Sequence, residues 1–453
     1  MKVLLISSNT LTEPYPVYPL GLDYVAAAIA DAHEVRIADM NVLGGHAPLL
    51  KIIGEYGPDM IGISLRNIDN TDSSAPKGFV EACRRLIQAI RSESRASIVL
   101  GGSGLTIFPD KVMAALDADY GVIGEGERLA LLLDALENQK DIASIPGIIT
   151  PTNSRPLPVP WNKNFNRNFR ADLPHLNYYL KNGGILNLQT KRGCHFECIY
   201  CTYPHIEGRR KRLIPPGEVA ETARRLQEAG AKYLFIADAV FNSDFSHNMA
   251  IAHEFKRAGL AIPWGAFFAP LEPPEDYFQV LAGAGLTHVE FGTESLSDAV
   301  LASYRKPYRA GHVFNAHRAA LDAGMHVAHY FLLGGPGETT ETLAETLKGA
   351  EDLDKSVLFF FCGMRIYPHT ALYDIAVSEG QIRKDQSLLE PLFYRCALET
   401  DLILQRVKKK AAGRPNWVIG SGGSETAGIV SRLYAHGHTG PLWEYLIGPQ
   451  RVF

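Results

Sequence analysis

The stretch Thr190-Lys191-Arg192-Gly193-Cys194-His195-Phe196-Glu197-Cys198-Ile199-Tyr200-Cys201 spaces three cysteines with three and then two intervening residues. It follows directly on an apolar run at 185–189 that reads as a strand. Thiolates suit iron–sulfur clusters, and three of them on one tight loop leave the fourth iron of a four-iron cluster without a protein ligand. A zinc loop would draw its fourth ligand from a second Cys/His pair. His195 and His205 lie nearby, but the chain has no second Cys-x-x-Cys. The other cysteines, Cys83, Cys362 and Cys396, are scattered, which does not suit a disulfide framework.

Outward from this loop, apolar runs at 185–189, 233–237, 264–268, 288–291, 327–333 and 358–366 alternate with helical periods at 217–229, 244–258, 311–323 and 340–353. Six strand–helix units in succession predict a partial (β/α)6 barrel of the TIM type over residues 183–383, with chemistry at the C-terminal ends of its strands. Residues 1–145 show a second alternating series, with strands at 3–6, 35–38, 60–64, 97–100 and 120–123 and helices at 21–32 and 77–92 among them. This is the pattern of a doubly wound, Rossmann-like α/β domain. Between the two, residues 146–182 are rich in Pro, Asn and Arg without sustained period and read as a linker. Residues 384–453 read as a mainly helical C-terminal segment.

A chain of 453 residues, 46% hydrophobic and 21% charged, is expected to fold as several globular units. Its formal net charge of -4, with basic residues spread along the chain, does not favour a nucleic-acid partner. No apolar run reaches the roughly 18 residues of a membrane span, and the first residues read as a strand rather than a signal peptide, so a cytoplasmic location is expected.

With Tyr200 just before the third cysteine, the loop resembles the hallmark of the radical S-adenosylmethionine (SAM) superfamily, and residues 185–380 agree with that resemblance. It implies a [4Fe-4S] cluster on Cys194, Cys198 and Cys201. It also implies SAM contacts at Tyr200, at Asp238 and Asn242 after the second barrel strand, at Glu294 after the fourth, and at Gly334 and Gly335 after the fifth. Glu294 matches the acidic residue that holds the ribose hydroxyls. The N-terminal domain resembles the cobalamin-binding domain that precedes the barrel in class B, cobalamin-dependent radical SAM enzymes. Ser8, Ser64, Arg66, Asn67, Gly101, Gly102, Gly124 and Glu125, at or near its strand ends, are the cobalamin-binding candidates. The first loop lacks the Asp-x-His-x-x-Gly motif that supplies cobalt with a lower histidine ligand. A guanidinium cannot coordinate a metal, so Arg66 beneath cobalt would keep that position empty, and a plain ion pair with Asp69 or a phosphate is the alternative.

The resemblance implies a cobalamin-dependent radical SAM methyltransferase. It would methylate an unactivated carbon of a small-molecule or lipid-like substrate by way of a 5'-deoxyadenosyl radical and methylcobalamin, and it would draw electrons from an external donor such as flavodoxin or ferredoxin. A cyclase or rearrangement enzyme without methyl transfer is the alternative. A tRNA methylthiotransferase would carry three N-terminal cysteines, and only Cys83 lies there. A cobalamin-binding sensor would leave the cluster loop and Glu294 unexplained. Phe267, Phe268, Phe360, Phe361 and Tyr367, near the barrel strand ends, are either core or substrate contacts.

Overall fold

The computed structural model describes residues 1–151, 158, 160–161, 165, 167, 169, 171–420 and 422–447. The remaining positions of the expected linker and of the C-terminal segment lie outside the described residues. The first sheet is built from β1 (Lys2–Ser7), β2 (Glu34–Asp39), β3 (Met60–Ser64), β4 (Ser97–Gly101), β5 (Tyr120–Val122) and β6 (Ile148–Ile149), in the order β2-β1-β3-β4-β5-β6. All pairs are parallel except β5 with β6. The buried runs Val3 to Ile6 and Met60 to Ile63 are apolar on both faces because helices cover both sides. The chain leaves β1 toward β2 and returns on its other side to β3, so the crevice of the doubly wound sheet opens where Ser7 pairs with Ser64.

β6 comes from the segment read as a linker. Ile148 and Ile149 are 0% and 2% exposed, so the first domain reaches at least to residue 149, and a short helix, Leu176–Lys181, leads into the barrel. Two adjacent apolar residues are too short a run to show a period, which is why they were read as linker.

The second sheet holds β7 (Ile185–Leu188), β10 (Tyr233–Ile236), β11 (Trp264–Phe268), β12 (Leu286–Glu294), β13 (His326–Leu333), β14 (Ser356–Cys362) and β15 (Trp417–Ile419), all parallel, in the order β15-β14-β13-β12-β11-β10-β7. Between β7 and β10, β8 (Lys191–Arg192) and β9 (Arg212–Leu213) form an antiparallel pair that closes the base of the cysteine loop. The six expected strands are present, and the C-terminal segment adds a short seventh on the far edge of β14. That segment also borders the other edge. Gly440 N donates to the Gly183 carbonyl at 3.0 Å, and Trp443 is buried beside β12.

Side chains alternate along these strands. Leu234, Ile236, Val289 and Phe291 face the outer helices, while Phe235, Phe267, Glu290, Tyr330, Phe359 and Phe361 line an interior cavity. One apolar core joins the two domains, running from Leu4, Ile63 and Leu100 to Ile199, Val300, Tyr304 and Met364. The buried Asp69–Arg365 ion pair, 2.9 Å, crosses the same boundary, and Ser73 Oγ donates to the Cys362 carbonyl.

Candidate active site

The cysteine loop leaves the barrel at the C-terminal end of β7 and is held by a buried carboxylate. Asp238 accepts hydrogen bonds from Thr190 N at 2.8 Å, Thr190 Oγ1 at 2.5 Å and Lys191 Nζ at 2.8 Å. These bonds make Asp238, the expected SAM contact, an anchor of the loop, and the residue also lines the barrel interior. Asn242 is likewise committed, donating to the Ala269 carbonyl and accepting from Ala269 N, both at 2.8 Å. Both residues are buried, Asp238 at the wall of the barrel cavity.

Cys194, Cys198 and Cys201 are all free thiols. Burial pushes the Cys201 thiol up to about 12, with Cys198 next to it adding to the shift, and burial also raises Cys194. Loading a metal on such thiols releases protons. Among the described residues no three His, Cys, Asp or Glu side chains converge on a point that would suit one metal ion. Thiolates of a four-iron cluster each bind a different iron and need no such convergence, so the soft, three-thiolate donor set fits a cluster. Cys198 and Cys201 open onto a cavity of about 250 Å3 that Arg209, Arg305, His205 and His369 also line. His205 stacks on His369 at 4.1 Å and approaches the Thr106 carbonyl at 3.2 Å, joining the cluster loop to the first domain.

Next to the thiols stands a polar cluster that the sequence showed only in part. Tyr200 OH donates to Glu294 Oε1 at 2.6 Å. Lys306, absent from the sequence-derived candidates, donates from Nζ to Glu294 Oε1 at 3.1 Å, to Tyr200 OH at 3.0 Å and to Cys198 Sγ at 3.4 Å. Its side chain is 7% exposed. Burial opposes its charge, yet Glu294 and Tyr200 more than offset that, and its pKa stands well above the ordinary lysine value. No spacing rule points to a lysine twelve residues beyond Glu294; only the fold brings the two together. Glu294 sits at a positive φ of 62° where the β12–β13 register shifts, which turns its carboxylate toward the loop. Of the two glycines, Gly334 adopts φ 89° and Gly335 packs so tightly that a Cβ would meet Tyr304 Oη at 2.6 Å. They shape the turn against the core, and neither lines a described cavity.

Two cavities meet between the domains. The first, about 250 Å3, lies over the carboxyl ends of the first sheet. Gly62, Gly101, Gly102, Gly124 and Gly126 line it, together with Ser64 and Glu125. At Gly102, φ is 96° and a Cβ would meet the Leu65 carbonyl oxygen at 2.5 Å, so only glycine fits this turn. The second cavity, about 570 Å3, is the barrel interior together with the Arg66 side of the crevice. Leu20, Gly21, Leu22, Ser64, Gly102, Ser103 and Glu207 line both, so the two are continuous. A slot walled by bare backbone at the carboxyl edge of a doubly wound sheet, opening into a wide chamber, fits a large flat cofactor with a tail.

Among the expected cobalamin contacts, Ser8 Oγ donates to the Ser64 carbonyl at 2.8 Å, and Arg66 and Asn67 are exposed at the end of β3. Asp69, the alternative partner for Arg66, is instead taken by Arg365, with Tyr367 OH donating to it at 3.1 Å. Glu125 lines the slot, but its oxygens accept from Arg192 at 2.8 Å, Arg212 at 2.6 Å and the backbone of Trp161. In doing so it fastens the loop after β5 to the barrel. Ser103, which was not among the candidates, lines both cavities and donates to the Arg66 carbonyl at 2.6 Å.

Comparison with known proteins agrees with this arrangement. Residues 188–350 match the radical SAM superfamily model and residues 7–133 match the B12 binding domain model. An uncharacterised methyltransferase of Pyrococcus horikoshii is 28% identical over 84% of this chain and 84% of its own. The cytidylyl-2-hydroxyethylphosphonate methyltransferase of Streptomyces wedmorensis is 25% identical over 85% of this chain and 84% of its own. The radical SAM methyltransferase TsrM of Kitasatospora setae, solved with tryptophan and a SAM analogue, superimposes with a TM-score of 0.88 at 22% identity over 99% of this chain and 98% of that one. Thiolate loop and glycine slot agree with both domain matches: the chain joins a B12 binding domain to a radical SAM domain, the pairing of cobalamin-dependent radical SAM enzymes, and the cofactors it implies are cobalamin, a [4Fe-4S] cluster and SAM.

Proposed function

We propose that this enzyme transfers a methyl group from SAM, by way of cobalamin, to an unactivated carbon of a small organic molecule held in the barrel interior. The observation that carries the reading is the continuity of the glycine-walled slot with the barrel chamber, since a cofactor seated in one faces a molecule seated in the other. When bound, the cluster supplies the electron that cleaves SAM, and cobalamin supplies the methyl group.

The chain's own residues bind, orient and exclude water. Cys194, Cys198 and Cys201 hold the cluster. Tyr200, Glu294 and Lys306 form the polar patch that meets SAM, and Gly334 and Gly335 hold the turn that borders it. Ser8, Ser64, Gly101, Gly102 and Gly124 would frame cobalamin, and Arg66 with Asn67 would lie beside it, where a guanidinium cannot coordinate a metal. Asp238, Asn242 and Glu125 support these groups from behind. Arg209 and Arg305 at the mouth by Cys198 and Cys201 suit docking of an acidic one-electron donor of the flavodoxin or ferredoxin type.

The test needs no knowledge of the substrate. Reconstituted, cobalamin-loaded enzyme is incubated with reductant and SAM labelled in its methyl group. Methyl transfer requires label in the corrinoid fraction together with S-adenosylhomocysteine. An unlabelled corrinoid accompanied by 5'-deoxyadenosine alone would instead support ring closure or rearrangement.

A further inference from the structure

The floor of the barrel chamber carries a buried carboxylate without a matching positive charge. Glu290, on the inward face of β12, is 3% exposed. Its Oε2 accepts from Tyr330 OH at 2.8 Å and its Oε1 accepts from Trp443 Nε1 at 3.1 Å. Both donors are neutral. An indole N–H can only donate, which sets the carboxyl group up as an acceptor.

One layer below, His288 Nε2 lies 3.3 Å from Glu444 Oε2. Even with His288 protonated, Glu290, Glu444 and His288 sum to one negative charge, and among the described residues no Lys or Arg pairs with either carboxylate. Across the chamber the charged lining is Glu13, Asp238, Glu207 and Glu290 against Arg66, and Lys191 neutralises only Asp238. Burial raises the Glu290 pKa above the ordinary carboxylate value, and a cation arriving beside it would favour the ionised form and pair with it.

The walls beside Glu290 are aromatic. Tyr330 lies flat on Phe359 at 4.8 Å, and Phe267 meets Tyr330 edge-on at 5.8 Å. Phe267 is 38% exposed although it sits on a central strand, because its ring borders open cavity. Carboxylate and ring faces together form the kind of site that binds an organic cation by a charge-assisted hydrogen bond and cation–π contact.

We propose that the chamber floor recognises a protonated nitrogen of the substrate, which is therefore an amine- or guanidine-bearing molecule with an apolar body. Glu290 receives the cationic end, and Phe267 and Tyr330 flank it. The assignment rests on the reading of the barrel interior as the substrate chamber, and it makes Glu290 a binding residue that discriminates against neutral and anionic molecules of the same shape.

Equilibrium dialysis of the full cofactor-loaded chain against phenethylamine, 3-phenyl-1-propanol and 3-phenylpropanoate tests this without turnover. It therefore stands or fails separately from the methyl-label experiment. The amine is expected to bind at least ten-fold tighter than the alcohol or the acid to the wild type, and Glu290→Gln, checked for unchanged iron and corrinoid content, is expected to abolish the preference. Trp443 fluorescence, read against a Trp443→Phe blank, should respond to the amine. Equal binding of the alcohol, tighter binding of the acid, an amine preference that survives in Glu290→Gln, or no binding of any of the three would each overturn the proposal. Should Glu290→Gln lose its cofactors, Phe267→Ala replaces it, with weaker amine binding expected and unchanged amine binding counting against the site.

Discussion

Replacing Glu125 by Gln keeps the shape of the side chain and removes the charge on which the interdomain network turns. In the wild type Arg192 reaches Glu125 at 2.8 Å and Glu127 at 2.7 Å, while among the described residues Arg212 has Glu125 alone as its carboxylate, at 2.6 Å. The three partners Glu125, Arg192 and Arg212 have side chains 5%, 7% and 11% exposed. Removing one partner of a buried pair costs about 3–5 kcal/mol, because the charge left behind has no solvent. Glu127 still compensates Arg192, so the loss falls at the lower end, about 3 kcal/mol, and belongs mainly to Arg212. Urea unfolding of the apoprotein, followed by tryptophan emission, measures it. A double-mutant cycle with Arg212→Met should return a coupling of about 2 kcal/mol, and little of it should be lost between about 0.05 and 0.5 M salt, because the pair is shielded from counterions. A coupling below about 0.5 kcal/mol, or one halved by salt, would mean that the network is wet and that the domains are fastened by apolar contact alone.

The cysteine loop and a buried carboxylate near the first sheet give two further expected outcomes. After anaerobic reconstitution, Cys194→Ala, Cys198→Ala and Cys201→Ala should each lose cluster iron, while Cys83→Ala keeps it, because burial in the first core seals Cys83 away from the loop; iron and sulfide analysis decides. Burial raises the Asp39 carboxyl to about 6 from its ordinary 3.8, against hydrogen bonds from Tyr179 OH and Asn41 N. A folded-state pKa above the unfolded one gives stability that is full below pH 3.8 and lost as pH rises through 6, a standing cost of up to about 3 kcal/mol at neutral pH. Asp39→Asn should therefore stabilise the protein near pH 7 and give no gain below about pH 4, and a pH-independent gain in chemical denaturation would refute the assignment.

Much of the architecture was legible because it is periodic or punctuated. The cysteine loop announced itself by spacing, and Glu294 by closing a strand. What could not be read depends on distant pieces meeting. Lys306 acquires its meaning from Cys198, more than a hundred residues earlier in the chain, and Glu125 from Arg192 and Arg212. Asp238 and Asn242 stood at the expected strand end, yet their polar atoms turn inward to hold the backbone. The aromatic residues near the strand ends divide by the two-residue period of a strand: Phe267 and Phe361 face the chamber, whereas Phe268 and Phe360 are buried in the outer core. β15 has three residues, too few for any period to show.

The apolar core shared by the two domains decides how the molecule can be taken apart. A cut near residue 170 would leave one half with Leu4, Ile63 and Leu100 bared and the other with Ile199, Val300 and Met364 bared. Each half would carry a raw apolar face of the kind that drives aggregation. The halves should precipitate when produced singly and stay in solution when co-produced. A foreign cobalamin domain could be grafted only by recutting both sides of that seam. The same seam would have to be bared for the domains to swing apart like a clam shell, which opposes that motion.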